Sequence, residues 1–465
     1  MTDSRRQHDI VVIGGGTAAL CAAISARRLG ASVLLLEQAP EGLRGGNTRH
    51  SRNLRITHDA PTSLTLGVYG EEEFRQDIDK ATEGTADPSL TGILARRSSE
   101  VTDWLAAAGV QLQPTAGGLL PPSRKTAFFL GGGKTALNRL YATAEGIGVE
   151  IRYACEVRDL RITDRRVETV SVLEQGVLHQ SLCPGAVILC CGGSQANRHW
   201  LRAQWGAAAD GFINRGTPFA SGEILASILS QGAMPVGDPK RAYLVAVDAR
   251  SPADDGGIVT RIRCMPAGIV VDREGRRIYD EGADAASTRY SVWGQRLASY
   301  PGQIAYLILD ATGVRSAPPS LHPPIDARTI GQLARRLDIE PAALEKTVAA
   351  YNSAVRSTDA DQDCSGCHTL GLDPPKSRYA LPLNEAPYSA YPMRPGITFT
   401  YYGVAVDTQT RVRSVQGGGI DNLFAAGMIM APNIIGRGYI SGLAITIGVV
   451  FGRVAGEEAA RHVLG

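Results

Sequence analysis

Apolar residues in this chain gather into short runs that stop at glycine, and the pattern is clearest near the N-terminus. Asp9 to Glu37 reads DIVVIGGGTAALCAAISARRLGASVLLLE. Ile10–Ile13 is too short for a helix and ends in glycines, which predicts a buried strand. Small residues at helical spacing follow, and a second apolar run, Val33 to Leu36, stops at an acid. The predicted order is strand, tight turn, helix and parallel strand. The same strand-to-glycine design recurs at Ala186–Gly193 (AVILCCGG) and at Asp421–Gly427 (DNLFAAG). Between them, Leu90, Ile93, Leu94, Val101, Trp104 and Leu105 have helical spacing within 71–109, with Trp104 expected in the core. Gly131-Gly132-Gly133-Lys134 lacks the spacing of a phosphate loop and reads as the start of a helix over 135–146. Short strands are predicted at 149–153, 157–162 and 167–173, forming a small β-meander. A glycine-rich helix start, Gly436 to Gly442, leads into a final apolar helix ending at Leu464.

The texture changes over residues 240–372. Short strands (268–271), proline-rich turns (Pro318, Pro319, Pro323, Pro324) and one helix (342–355) replace the glycine-ended strands. Glycine-ended strands lie on both sides of this stretch. The prediction is one domain made of 1–239 and 373–465, with 240–372 inserted as a second. No internal repeat or low-complexity tract is present. A composition of 44% hydrophobic and 20% charged residues is that of a globular protein, and a net charge of +2 gives no surplus for nucleic acid or an anionic membrane. The eight cysteines, including Cys190 and Cys191 inside an apolar strand, read as reduced buried thiols. MTDSRRQH leaves no room for a signal peptide before the first strand, and no run reaches the length of a membrane span. A cytoplasmic location is expected.

The first glycine turn carries a specific chemistry. Its spacing, Gly14-x-Gly16-x-x-Ala19, is a dinucleotide fingerprint with alanine in the third place. Gly14 makes the turn, Gly16 lets backbone approach a pyrophosphate, and Ala19 lets helix and strand pack. The helix N-terminus offers free N–H groups and a positive dipole end to the pyrophosphate. Glu37 ends the second strand, where a carboxylate accepts hydrogen bonds from an adenosine ribose. A purely structural turn would explain the glycines but not the acid. The following stretch, EGLRGGNTRHSRNLRI, is too polar for a core strand and reads as a loop over a ligand.

Six further stretches carry a resemblance: GGNTRHSRNLR (45–55), RGTPFASGE (215–223), YDEGADAASTRYSVWG (279–294), PPKSRYA (374–380), RPGITFTYYGV (394–404) and IIGRGYISG (434–442). With the fingerprint, they make the whole chain resemble the flavoprotein family of succinate dehydrogenase, fumarate reductase and L-aspartate oxidase. Within it the chain looks most like the tricarballylate dehydrogenase branch. The resemblance implies an α/β fold: a Rossmann-like FAD-binding domain of the glutathione-reductase type with an inserted α+β capping domain. It implies that Gly14, Gly16, Thr17, Ala18, Ala19, Glu37 and Gln38 hold the ADP half of FAD. Arg44, Gly45, Gly46, Asn47 and Thr48 would run along the pyrophosphate and flavin, and Val157 would face the adenine. Gly192, Gly193, Gly222 and Glu223 would close on the nucleotide a second time. Gly427, with a helix start at Gly438, Tyr439 and Ile440, would face the pyrimidine edge of the flavin, where a helix dipole favours the charge of the reduced ring.

Departures from the family pattern matter as well. The histidine that links FAD covalently in succinate dehydrogenases is Asn47 here, with His50 three residues on, so FAD is expected to be non-covalent. The substrate histidine motif of fumarate reductases reads Phe399-Thr400-Tyr401-Tyr402-Gly403, which leaves substrate hydrogen bonding to Thr400, Tyr401 or Tyr402. The family's Gly-Glu after the last nucleotide strand is Gly427-Met428. Ala285 stands where fumarate reductases carry their proton-transfer arginine, and Arg289, four residues later, is the first candidate for that role; an ordinary surface arginine is the alternative. Arginine is a poor base alone. It would need Glu281 or Asp284 as a relay, or be replaced by Tyr290, Tyr439 or His58. Arg437 is placed to grip a substrate carboxylate, or else the pyrophosphate or a structural acid. Arg49, Arg52 and Arg55 could line the cavity or cover loop surface.

Cys364-Ser-Gly-Cys367-His368 matches the c-type haem motif, but without an export signal it reads as a loop with a chance CxxCH, and no second ligand pair suggests zinc. The expected activity is an FAD-dependent dehydrogenase that desaturates a small polycarboxylate, of the tricarballylate to cis-aconitate type, by hydride transfer to flavin N5. Its partners would be a small carboxylate substrate and a membrane iron–sulfur or haem electron acceptor, with no nucleic acid. The alternatives are a desaturase or reductase of a steroid-like or secondary metabolite, and an electron-transfer flavoprotein subunit.

Overall fold

The structure is a computed structural model that describes residues 8–174, 177–254, 260–284, 289–357 and 364–465; for 177–181, 289 and 290 it describes the backbone alone. The chain forms two compact units. The first contains Met1–Trp200, Gly216–Tyr243 and Phe399–Gly465, and the second contains Leu201–Arg215 and Leu244–Thr398.

The first unit is built on a six-stranded sheet. Its strands are β1 (Ile10–Ile13), β2 (Val33–Leu36), β3 (Glu150–Arg152), β4 (Ala186–Leu189), β5 (Arg411–Arg413) and β6 (Gly419–Ala425), in the order β5-β6-β4-β1-β2-β3. All pair in parallel except β5 at the edge, with Ile10 opposite both Val33 and Ala186. Every residue of β1, β2 and β4 is buried, as a parallel sheet covered on both faces requires. Helices α1 (Thr17–Arg28), α2 (Gly132–Gly146) and α3 (Leu443–Leu464) belong to the same unit. The expected meander is a three-stranded antiparallel sheet over Cys155–Thr163, Arg166–Glu174 and Val177–Leu182. Asn422, fully buried in β6, ties it to the main sheet: its side chain accepts Val167 N–H at 2.8 Å and donates to Val167 O at 3.0 Å and Gly185 O at 3.2 Å.

The final helix lies almost backbone to backbone on α1. A Cβ on Gly456 would sit 2.2 Å from Ala22 O, and one on Gly452 would sit 2.5 Å from Ala18 O. At Gly448 the nearest atom would be 3.6 Å away, an ordinary contact. Gly456→Ala is therefore expected to destabilise the protein by about 1–3 kcal/mol through overpacking. Gly448→Ala should be neutral or stabilising, since alanine is the better helix former by about 1 kcal/mol. Denaturant unfolding of the two variants side by side checks the sign.

The second unit has its own sheet. Strands Ile213–Asn214, Tyr388–Val404, Ala305–Leu309 and Ile269–Val271 lie in that order, and Pro235–Asp248 and Ile325–Ala327 also pair with Tyr388–Val404. Period-two alternation splits this sheet between two cores. Ile269, Val271, Tyr306 and Ile308 pack on helices Ile330–Arg336 and Pro341–Ala354, while Val270, Ala305, Leu307 and Leu309 pack on Trp293 and Leu297.

Four expectations change. Residues 373–398 belong to the second unit rather than the first, because their strand pairs with Ala305–Leu309 and Ile325–Ala327. Residues 201–215 join that unit too, through Ile213–Asn214. The last helix starts at Leu443 and not at Gly438–Ile440, because Gly442, at φ +84°, takes the left-handed conformation that precedes it. Trp104 is half-buried rather than core, with the Arg28 and Arg453 guanidiniums 5.5 and 5.7 Å from its ring centre. No disulfide joins the cysteines. Among the described residues no helix is long and apolar enough to cross a membrane.

Candidate active site

β1, β2, β4 and β6 all end at the same edge of the parallel sheet, where open α/β sheets bind their ligands. Gly14 follows β1 at φ +113°, and a Cβ there would lie 2.5 Å from Cys190 O at the end of β4. Only glycine lets the two strand ends close together. Helix α1 then begins with no side-chain cap and no acid in its first turn. Helix geometry leaves the N–H groups of Thr17, Ala18 and Ala19 without intrahelical acceptors. Thr17 N–H goes to Thr48 Oγ1 at 3.2 Å, and Thr17 Oγ1 also donates to Thr48 Oγ1, at 3.0 Å. This ties the 45–48 loop across the helix N-terminus. Beside it, a Cβ on Gly16 would meet nothing closer than 3.6 Å, so backbone there stays open to a ligand.

Glu37 closes the other side of the turn. It is 5% exposed; its carboxylate accepts Ala39 N–H at 2.9 Å and Gly45 N–H at 3.2 Å. Burial pushes this carboxyl above its usual range against the pull of those N–H groups. Gln38 beside it is half-buried. Tyr141 of α2, fully buried, donates to Gly15 O at 2.8 Å, and its phenol is pushed far up by burial and by Glu37, so it remains a donor. Arg44 lies 4.2 Å from the Tyr141 ring centre and donates to Tyr153 Oη at 2.7 Å. Gly45 and Gly46 carry positive φ; Asn47 Oδ1 accepts Thr217 N–H at 2.9 Å.

Two residues to which the sequence reading gives no part in holding a cofactor complete the cradle. Tyr141 is one, and Gly133 another: a Cβ on it would lie 1.9 Å from Thr48 O, and its N–H donates to Ser51 O at 2.8 Å. The glycine triplet at 131–133 is the signal for it. It lets α2 close on the 45–51 loop.

The second set of glycines gathers at the end of β4. Gly192 and Gly193 follow that strand, and a Cβ on Gly193 would touch Thr400 Oγ1 at 2.5 Å. Fully buried Thr400 Oγ1 also accepts Ser194 N–H at 3.2 Å. Gly222 backs onto Ser194, and Glu223 opens helix Glu223–Ser230 with its carboxylate 3.4 Å from Arg158. Gly427 follows β6 against Ala18 of α1. Val157 is buried in the meander, paired with Val172. Gly438 packs on Ala81 O, and Ile440 is half-buried before the helix start.

An aromatic cluster stands next to Thr400. Tyr439 lies 4.4 Å from Tyr243 and 5.6 Å from Phe399, and Phe399 lies 5.2 Å from Tyr243 and 5.8 Å from Tyr401 (ring centres). Tyr401 is 1% exposed.

The arginines of this unit are largely committed. Arg437 forms an ion pair with Glu83, the structural acid that the sequence left as one of its alternatives. Arg55 donates to Tyr69 Oη at 2.6 Å, to Asp77 Oδ2 at 2.9 Å and to Ser441 O at 3.1 Å. Burial alone would raise the Asp77 carboxyl, but Lys125, Tyr69 and Arg55 outweigh it and hold it below the usual range. Arg49 donates to Gly42 O at 3.0 Å. His58 has Nδ1 2.9 Å from Ala60 O and Nε2 2.8 Å from Arg124 O, so both nitrogens face backbone carbonyl oxygens.

In the second unit, Arg289 is the first residue of helix Arg289–Ser299, and its side chain, like that of Tyr290, lies outside the described residues. Glu281 is engaged by other groups. It is fully buried, paired at 2.5 Å with Arg277, and accepts Val270 N–H at 2.8 Å. The CxxCH residues close a turn, Cys367 N–H to Cys364 O at 3.1 Å, with Cys367 1% exposed and His368 Nδ1 3.1 Å from Gly366 O.

Uncapped helix N–H groups, open backbone at Gly16 and a buried acid ending β2 fit the diphosphate and ribose of FAD. Comparison with known proteins agrees. Residues 9–438 match the FAD binding domain family. A fumarate reductase (cytochrome) of Shewanella frigidimarina is 29% identical over 98% of this chain and 77% of its own length. The open conformation of a flavocytochrome c3 fumarate reductase superposes with a TM-score of 0.77 at 24% identity, covering 100% of this chain and 80% of that one. The 3-ketosteroid delta1-dehydrogenase from Sterolibacterium denitrificans superposes with a TM-score of 0.78 at 18% identity, covering 98% and 99%. The chain belongs to the FAD binding domain family, and its relatives include fumarate reductases.

Proposed function

We propose that this FAD oxidoreductase, acting on CH–CH bonds, desaturates a small polycarboxylate, with tricarballylate to cis-aconitate as the leading case. The observation that carries the reading is Thr400. Its buried side chain touches Gly193 and Ser194 at the end of β4, so the 399–402 segment lies at the ligand edge of the sheet. The resemblance gives that segment to the substrate. Thr400 accepts Ser194 N–H and keeps its own hydroxyl hydrogen for a carboxylate oxygen. FAD, held non-covalently, accepts the hydride. Arg289 is the group proposed to carry the neighbouring proton; with Glu281 committed to Arg277, its relay is water or another side chain. Electrons would leave through an iron–sulfur or haem partner at the membrane, a cytoplasmic protein meeting it there, since the fumarate reductase relative is by name a cytochrome enzyme.

A second reading has its own support. Tyr243, Phe399, Tyr401 and Tyr439 form an aromatic cluster, buried except at Tyr439, whose rings suit contact with a ring system, and Arg437 and Arg55 are paired elsewhere. A desaturase or reductase of a steroid-like substrate follows from those observations. Anaerobic mixing with tricarballylate, succinate or a 3-ketosteroid, read as bleaching of flavin absorbance, separates the two. Bleaching by tricarballylate supports the first reading; bleaching by the ketosteroid alone replaces it with the second.

A further inference from the structure

Two arginines of the second unit, Arg273 and Arg394, stand apart from its ion pairs. Among the described residues, the guanidiniums of Arg273 and Arg394 have no hydrogen-bond or ion-pair partner. The sheet register places them. Val271, Tyr306 and Pro392 lie opposite one another across three adjacent strands, so their side chains share a face. Arg394 stands two residues beyond Pro392 on the same face, and Arg273 two residues beyond Val271, in the turn closed by Gly275 N–H to Asp272 O. The outer two strands are two strand spacings apart, about 10 Å. Between the arginines lie Ile304, 9% exposed, and the Tyr306 ring.

Three further observations mark this spot. A Cβ on Gly211 would lie 2.8 Å from Arg394 Nη1 and 3.3 Å from Gln303 Oε1, so backbone closes one side. Gly302 and Gln303 are consecutive left-handed residues, at φ +72° and +46°. Gln303 has a side chain and holds that conformation at a conformational cost, as residues at binding sites do. Burial, and then Arg273, hold the Arg394 guanidinium below its ordinary range, while burial holds the Tyr306 phenol above its own. Asp338 also influences Tyr306 but pairs with neither arginine. Two like charges, one half-buried, are an arrangement that an anion between them would relieve.

We propose that Arg273 and Arg394 form a binding site for a small dianion, the phosphate or dicarboxylate portion of a ligand, held between their guanidiniums at the rim of the core that contains Ile304 and Tyr306. The site is distinct from the FAD cradle and does not rest on the substrate reading. Guanidinium forks suit both groups, and two of them at this separation suit a group with oxygens on both sides.

The test uses the FAD-loaded protein, titrated with inorganic phosphate or malonate at constant ionic strength and followed by thermal melting and calorimetry. A saturable rise in Tm is expected, because a ligand that binds only the folded state stabilises it. Arg273→Gln and Arg394→Gln should each weaken the apparent affinity about tenfold or more, the loss of one charge-assisted contact. In anion-free buffer Arg394→Gln should melt at or above the parent protein, since the variant no longer buries an unbalanced charge. A response to phosphate alone assigns a phosphorylated ligand, and a response to malonate alone a carboxylate one. The proposal fails if neither anion gives a saturable effect or if both variants keep it. It also fails if Arg394→Gln melts lower without anion, which would make Arg394 a structural residue.

Discussion

Arg289→Ala protein is expected to hold FAD as the parent does and to be reduced by its substrate about 10²–10⁴ times more slowly, the usual worth of a positioned proton-transfer group. Removing two hydrogens from adjacent carbons sends one to the cofactor as hydride and the other to a proton carrier. Among the alternatives that the sequence offers, His58 has both ring nitrogens on carbonyl oxygens and Glu281 is closed in its pair with Arg277. Arg289 is the first residue of helix Arg289–Ser299. The measurement is single-turnover flavin bleaching across pH. A proton-transfer role lowers the reduction rate and changes its pH profile, whereas a carboxylate clamp raises the concentration of substrate needed for half-maximal rate. Arg289→Lys, which keeps a titratable cation, should recover part of the rate. Arg437→Ala is the control: an arginine paired with Glu83 at the surface should cost little, in line with about 0–1 kcal/mol for exposed pairs. If Arg289→Ala reacts within threefold of the parent, Tyr439 becomes the leading candidate.

The contrast between Arg289 and Arg437 shows what the sequence could and could not convey. The β1-α1-β2 unit is legible because its information is local: strand length, glycine spacing and a terminal acid within about thirty residues fix both the geometry and the ligand. Residues 14–19, Glu37 and Thr48 do converge, through hydrogen bonds that link the turn to the next loop. Arg437 carries no such local signal, because its partner Glu83 lies 354 positions away in the chain. Thr400 is marked only by the motif around it, and its contact with Gly193 comes from two strands that meet after folding. The change in texture at residue 372 suggests an end to the inserted domain that the structure does not share. The strand beyond it, Tyr388–Val404, begins in the second unit and ends in the first, so composition does not mark the boundary. The helix start expected at Gly438 is displaced for a simpler reason. Gly436, Gly438 and Gly442 look alike in sequence, and of the three it is Gly442 that takes a left-handed φ.

Glu37→Ala should purify with little or no flavin, and its affinity for added FAD should fall by about 10²–10³-fold. The carboxylate has two tasks. It accepts the Ala39 and Gly45 N–H groups, and it stands at the end of β2 where a ribose hydroxyl needs an acceptor. Alanine leaves both N–H groups buried and unsatisfied, at about 1–3 kcal/mol each, before any contact with the cofactor is counted. Because Gly45 N–H anchors the loop that ends in Thr48, the crossing of the α1 N-terminus should loosen as well. Glu37→Gln is the informative partner. Its single amide oxygen can serve one N–H group, while its NH₂ meets the other donor head-on, so an intermediate loss is expected. Tyr141→Phe removes the hydroxyl that donates to Gly15 O and steadies the Glu37 carboxylate, and should weaken FAD about fivefold to tenfold or somewhat more. The ratio of flavin to protein absorbance, followed by titration of the stripped proteins, gives all three values. Acid precipitation of the parent protein settles the linkage in the same experiment, since yellow supernatant means non-covalent FAD. Full flavin occupancy in Glu37→Ala would show that the carboxylate only shapes the turn, and the ribose contact would then have to come from backbone alone.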